Sequence, residues 1–126
     1  MIISKTPFRI SFFGGGTDLP AWYKIHGGSF ISASINKYSY LNMRNLYSFA
    51  DYNYLLRYYN REEVKKINQI KHKSFKACLD FCKFHNRKVY ISHNADLPAQ
   101  SGLGSSSTFT VGLLNALYDF KKQKVS

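Results

Sequence analysis

The chain has 126 residues, room for one domain and no more, and its hydrophobic content of 44% fits a folded protein with a real core. Its 18 Lys and Arg against 7 Asp and Glu give a net charge of +11, which favours anionic partners: nucleic acid, membrane surface or phosphorylated small molecules. No apolar run reaches the roughly 18 residues of a membrane span, residues 1–7 lack a basic-then-apolar leader pattern, and two cysteines are too few for a disulfide framework, so a cytoplasmic protein is the simplest reading.

The charge is spread along the chain rather than clustered, and a basic solvated surface is the plainer account of it. In chain order, Ile2-Ile3 and residues 8–13 predict a short strand pair or one interrupted strand. Gly14-Gly15-Gly16-Thr17-Asp18 predicts a loop, since three glycines oppose regular structure. Residues 19–26 predict a short helix with Asp18 as N-cap and Pro20 in its first turn, ended by Gly27-Gly28. Residues 29–35 and 37–46 both alternate, which predicts two strands joined by a tight hairpin at Ile35-Asn36-Lys37.

Residues 54–59 predict a further strand, and the polar stretch 61–70 a loop or short helix. Phe75, Cys78, Leu79 and Cys82 form a helical stripe within residues 73–85. Residues 88–94 predict a strand with Val89, Ile91 and His93 on one face. Phe109, Leu113, Ala116, Leu117 and Phe120 mark one face of a last helix. Val111, Leu114 and Tyr118 widen that face, so the helix is expected to be buried on most sides. The implied fold is a mixed α/β domain of the α+β type: a mostly antiparallel sheet of four to five strands with two main helices on one face.

Between the strand at 88–94 and the last helix runs Pro98-Ala-Gln-Ser-Gly-Leu-Gly-Ser-Ser-Ser-Thr108. A Gly/Ser turn running into a buried helix places unsatisfied backbone N–H groups and the positive end of the helix dipole around one anion, typically a phosphate. No Lys follows the glycines, which excludes the Walker loop; Ser107 stands where a dinucleotide fingerprint has its third Gly; a lipase-type elbow is absent.

The remaining pattern, Pro-x3-Gly-Leu-Gly-Ser-Ser-Ser, resembles the phosphate-binding motif of the GHMP kinase superfamily. A second segment, Pro7-Phe-Arg9-Ile-Ser-Phe-Phe-Gly14-Gly15-Gly16-Thr17-Asp18, resembles the N-terminal motif of its sugar-kinase branch. The triple glycine, Leu19-Pro-Ala-Trp22-Tyr23, residues 28–36, Gln69-Ile-Lys-His72 and residues 109–118 look like the branch of D-glycero-D-manno-heptose 7-phosphate kinases, and the similarity covers nearly the whole chain.

That resemblance implies a domain built like a ribosomal-protein domain and an ATP-dependent phosphorylation of the anomeric hydroxyl of a heptose 7-phosphate, a step toward nucleotide-activated heptose and surface polysaccharide. Pro98, Ser101, Gly102, Leu103, Gly104, Ser105, Ser106 and Ser107 would hold the ATP phosphates, and Ser106 would face Mg2+. Arg9, Gly15, Gly16, Thr17 and Asp18 would line the substrate pocket: Asp18 accepts from sugar hydroxyls and Arg9 stabilises the transferring phosphate. Family members are much longer. Residues 1–126 are therefore expected to be an N-terminal ATP-binding domain without the C-terminal domain and the later carboxylates, with little activity alone and an apolar surface prone to oligomerise.

Cys78, Cys82 and His85 have a spacing compatible with a metal on one helix, but the two cysteines also lie on the apolar stripe, which favours buried structural thiols. His26, His72 and His93 show no carboxylate or Cys partner in sequence and receive no catalytic role. Other readings are a kinase for another sugar, an inactive paralogue that keeps the sugar pocket, and a basic RNA-binding module. The last leaves the two motifs unexplained, so nucleic acid is not the expected partner and neither is a membrane.

Overall fold

The computed structural model of the chain describes residues 1–13, 19–85, 87–98 and 105–125. The elements run β1 (Ile2–Phe13), α1 (Pro20–His26), β2 (Ile31–Asn45), β3 (Tyr54–Arg57), β4 (Arg61–Val64), a 3-10 turn (Ile67–Gln69), α2 (Lys73–Phe81), β5 (Val89–Ala95) and α3 (Ser105–Val125). The five strands form one sheet in the order β1-β2-β5-β3-β4. Among the described residues only the β3–β5 pair is parallel. The architecture is thus the mixed, mostly antiparallel one that the patterning implies.

Alternation puts Leu41 and Met43 of β2, Leu56 of β3, and Val89 and Ile91 of β5 on one face of the sheet. Phe75, Cys78 and Leu79 of α2 and Phe109, Leu113, Leu117 and Phe120 of α3 cover that face and complete the core. Each such side chain contributes roughly 1.5–3 kcal/mol by leaving water. Cys78 and Cys82 are free and buried in this core, where burial pushes both thiols up. They pack as small apolar groups, as the helical stripe implies.

Several local expectations change. There is no hairpin at Ile35-Asn36-Lys37, because β2 runs unbroken past it. The pairing steps from Pro7↔Tyr38 to Arg9↔Ser34, so residues 35–37 bulge opposite Phe8. The sequence irregularity is real, but β1 is long enough to pair on both sides of it.

Residues 61–64 form a strand, not a loop or helix. Its inward residue is a carboxylate, Glu62, so no apolar alternation marks it. The Glu62 side chain accepts from the N–H groups of Lys71 (2.7 Å) and His72 (3.2 Å) and from the Tyr58 hydroxyl (2.7 Å). Burial raises the Glu62 pKa, but these three donors outweigh it and leave the carboxyl below its ordinary range.

The cap of α1 falls on Leu19, which makes no side-chain cap bond, rather than on Asp18. Pro20 keeps Leu19 extended, at ψ 133. Helix α2 stops at Phe81, short of residue 85. There Lys83 takes a positive φ of 57, and Phe84 N–H returns to the Leu79 carbonyl at 3.0 Å.

The face of α3 carrying Phe109, Leu113, Ala116, Leu117 and Phe120 is buried, but the helix is not buried on most sides: Val111 and Tyr118 remain about half exposed. More apolar surface is exposed elsewhere, at Phe12, Leu19, Trp22, Ile25, Phe30 and Ile31. Among the described residues no helix is long and apolar enough to cross a membrane.

Candidate functional site

Strand β5 leads into the Gly/Ser segment and α3 leads out of it. The first turn of α3 contains no acidic residue, so the positive end of its dipole is uncompensated. Ser105 is half-buried, while Ser106 and Ser107 are exposed. Thr110 Oγ1 donates to the Ser106 carbonyl at 3.0 Å. Thr108, which is buried, donates to the Pro7 carbonyl at 3.4 Å and ties the helix start to β1.

Phe109 anchors the same turn from below. Its ring meets Phe75 edge-on at 5.0 Å between centroids, His93 edge-on at 4.9 Å, and His72 at 5.2 Å. His93 Nε2 lies 2.9 Å from the hydroxyl of buried Ser39. His72 caps α2, its Nδ1 accepting from Phe75 N–H at 3.3 Å. A neutral His72 ring therefore carries its proton on Nε2. Burial pushes the pKa of both imidazoles down; His72 lowers that of His93 further, while Glu62 partly offsets the effect at His72.

Above this cluster opens a cavity of about 530 Å³. Ser105, Ser106 and Phe109 of α3 line it together with Phe8 of β1, Tyr58 and Tyr59 after β3, His72 before α2, and His93 and Asn94 of β5. One side offers hydroxyls and a helix start; the other offers aromatic rings. This arrangement can hold an anionic group at one end and a flat apolar group at the other.

Of the residues singled out from sequence, Ser105 and Ser106 line this cavity. Ser107 shares their helical turn, and Pro98 lies exposed beyond the end of β5. Arg9 is half-buried on β1 opposite Ser34; its neighbour Phe8, not Arg9, borders the cavity. Gly15, Gly16, Thr17 and Asp18, and likewise Ser101, Gly102, Leu103 and Gly104, lie outside the described residues.

Sequence reasoning missed Tyr58, Tyr59, His72 and His93. Their only signals were positional: His72 just ahead of a helical stripe, His93 on the inner face of its strand. Phe109 lies 37 residues from His72 and 16 from His93 in the sequence, so their convergence on it is invisible there.

Among the described residues no group of three His, Cys, Asp or Glu is placed to hold a metal ion. His85 pairs with Asp80 at 3.2 Å rather than with the cysteines. The exposed Ser106 hydroxyl is a hard oxygen of the class Mg2+ takes, and beside nucleotide phosphates Mg2+ keeps few protein ligands. The donor present thus fits that ion.

The family description "GHMP kinases N terminal domain" matches residues 64–126. A D-glycero-alpha-D-manno-heptose 7-phosphate kinase of Campylobacter jejuni is 27% identical over 128 aligned positions, covering 94% of this chain and 38% of that protein. The crystal structure of a D-glycero-D-manno-heptose 1-phosphate kinase from Bacteroides thetaiotaomicron superposes with a TM-score of 0.80 at 25% identity, covering 97% of this chain and 42% of that one. Mevalonate kinase of Methanococcus jannaschii shares the fold, with a TM-score of 0.65 at 22% identity over 95% of this chain and 40% of its own. The chain therefore spans well under half the length of each of these proteins.

Proposed function

Because the chain belongs to the GHMP kinases, through their N-terminal domain, we propose that it is the nucleotide-holding part of an ATP-dependent sugar kinase whose acceptor is the anomeric hydroxyl of a heptose phosphate, D-glycero-D-manno-heptose 7-phosphate. The observation that carries this is the opening of Ser105 and Ser106 onto the aromatic-lined cavity of about 530 Å³. The heptose-kinase names of two relatives, each similar over more than nine-tenths of this chain, support the acceptor.

In this reading the phosphates of ATP lie against the N–H groups and hydroxyls of Ser105, Ser106 and Ser107. The glycines at 102 and 104 allow close backbone approach there, and Pro98, Ser101 and Leu103 complete the loop. The base reaches toward Tyr58, Tyr59 and His72, whose rings exclude water. Ser106 is the residue that would hold Mg2+, which when bound supplies positive charge to nucleotide phosphates. Arg9 and Asp18, with Gly15, Gly16 and Thr17, are assigned to the sugar: Asp18 accepts from its hydroxyls and Arg9 offsets phosphate charge.

Phosphoryl transfer rests on positioning and charge neutralisation. We assign to these 126 residues the binding of nucleotide and part of the sugar, with little transfer by themselves. A cytoplasmic location and a role in supplying nucleotide-activated heptose for surface polysaccharide belong to the same proposal.

The test is calorimetric titration of magnesium–ATP into the chain and into Ser106→Ala. The parent should bind saturably, and the variant should bind roughly tenfold more weakly through loss of one charge-assisted contact. Equal affinities would remove Ser106 from the metal, and no saturable binding by the parent would overturn the nucleotide assignment. Phosphorylation of a heptose phosphate by these 126 residues at an ordinary kinase rate would refute the expectation of low transfer.

A further inference from the structure

A second cavity, of about 650 Å³, lies between the 3-10 turn and α2. It shares no lining residue with the cavity at the start of α3. Four lysines surround it: Lys65 and Lys66 on one side, Lys73 and Lys76 on the other. We propose that this cavity binds a compact molecule carrying two or more phosphate groups.

The walls are built, not incidental. Lys65 and Lys66 sit on a fixed turn, because both backbone N–H groups donate to Gln69 Oε1 at 3.1 Å. Lys73 and Lys76 lie in the first turn of α2, three residues apart and so on one face of the helix. Buried Tyr54 and Ile67 also border the space. They give the charges a low-dielectric backing that strengthens their field.

One carboxylate among the lining residues leaves these four charges in excess. Asp80 is the one acid among the lining residues, and it is engaged by His85 at 3.2 Å. The ion pairs found among the described residues are Arg61–Glu63 and His85–Asp80, so none of the four ammonium groups has a carboxylate within pairing distance there. Four like charges around one concavity repel each other until a multivalent anion enters. Lysine suits that ligand, since its ammonium is a point charge with three rotatable donors. Lysines placed on two walls of one cavity favour a compact polyphosphate over the extended backbone of a nucleic acid.

The test is an NMR titration of the ¹⁵N-labelled chain with inorganic tripolyphosphate. The amides of Lys66, Asn68, Lys73 and Ala77 should shift together and saturate with one dissociation constant. All four of the lysine side chains are solvent-exposed, so the variant K66Q/K73Q/K76Q should keep its fold. Its dissociation constant at this site should rise roughly tenfold or more, while any shifts at Ser105, Ser106 and Ser107 persist. Shifts confined to Ser105–Ser107, or an unchanged dissociation constant in the triple variant, would overturn the proposal without touching the nucleotide assignment. Tighter binding of a short oligouridylate than of tripolyphosphate, lost in the same variant, would overturn it in favour of a nucleic acid.

Discussion

A Cβ placed on Gly112 of α3 would stand 2.8 Å from Thr6 Oγ1 of β1 and 3.1 Å from Ser4 Oγ. The missing side chain lets the helix lie directly on the strand. One turn earlier, Thr108 bonds the Pro7 carbonyl, so the same contact registers the start of α3 against Phe8 and Arg9. Gly112→Ala is expected to destabilise the chain by about 1–2 kcal/mol through overpacking, although alanine alone favours a helix by about 1 kcal/mol. Thr6→Ala in the same chain should recover part of that loss. Urea unfolding of the four-member cycle checks this; a Gly112→Ala chain as stable as the parent would contradict it.

Phe109 fills the space between His72, His93 and Phe75 and is buried. Phe109→Ala should cost about 3–5 kcal/mol of unfolding free energy. Water admitted to the vacated space should also move the His93 pKa back up toward its ordinary value, since burial is what lowers it. Unfolding and imidazole NMR titration measure the two effects separately.

Glu62 holds β4 to the segment entering α2 through three hydrogen bonds. Glu62→Gln loses the charge and one acceptor oxygen, leaving at least one donor unmatched. The expected cost is about 1.5–3 kcal/mol, together with faster amide exchange at Lys71 and His72. Unchanged exchange at those two amides would count against the clamp.

Stability should fall on acidification in two stages. His72 and His93 have folded pKa values below the ordinary imidazole value of 6.5. Below that pH the unfolded chain takes up protons that the folded chain declines, so their contribution is complete above pH 6.5 and declines as the pH falls below it. The Glu62 pKa is also lowered, from 4.5. Its contribution is present above that value and is lost as pH falls through the folded pKa, which adds a second, more acidic decline. Urea midpoints between pH 8 and pH 3 follow both; a curve rising from pH 7 to pH 5 would contradict the histidine assignment.

The sequence by itself determined the elements whose signal is local. Alternation at residues 88–94 and the stripes through Phe75–Cys82 and Phe109–Phe120 mark one strand and two helices, because side-chain periodicity follows directly from backbone geometry. The Gly/Ser run before α3 marked a candidate anion site, since helix starts carry free N–H groups wherever they occur. Tertiary structure decided what depends on a partner. The irregularity at Ile35-Asn36-Lys37 is a bulge and not a turn because β1 pairs on both sides of it. Residues 61–64 are a strand because they pair antiparallel with Tyr54–Arg57, with Glu62 turned inward onto donors nine and ten residues away. His72, His93 and Tyr58 border the cavity because α2, β5 and the β3–β4 connection converge on Phe109. Contacts between residues this far apart in the chain leave no period in it, so only the folded arrangement places them.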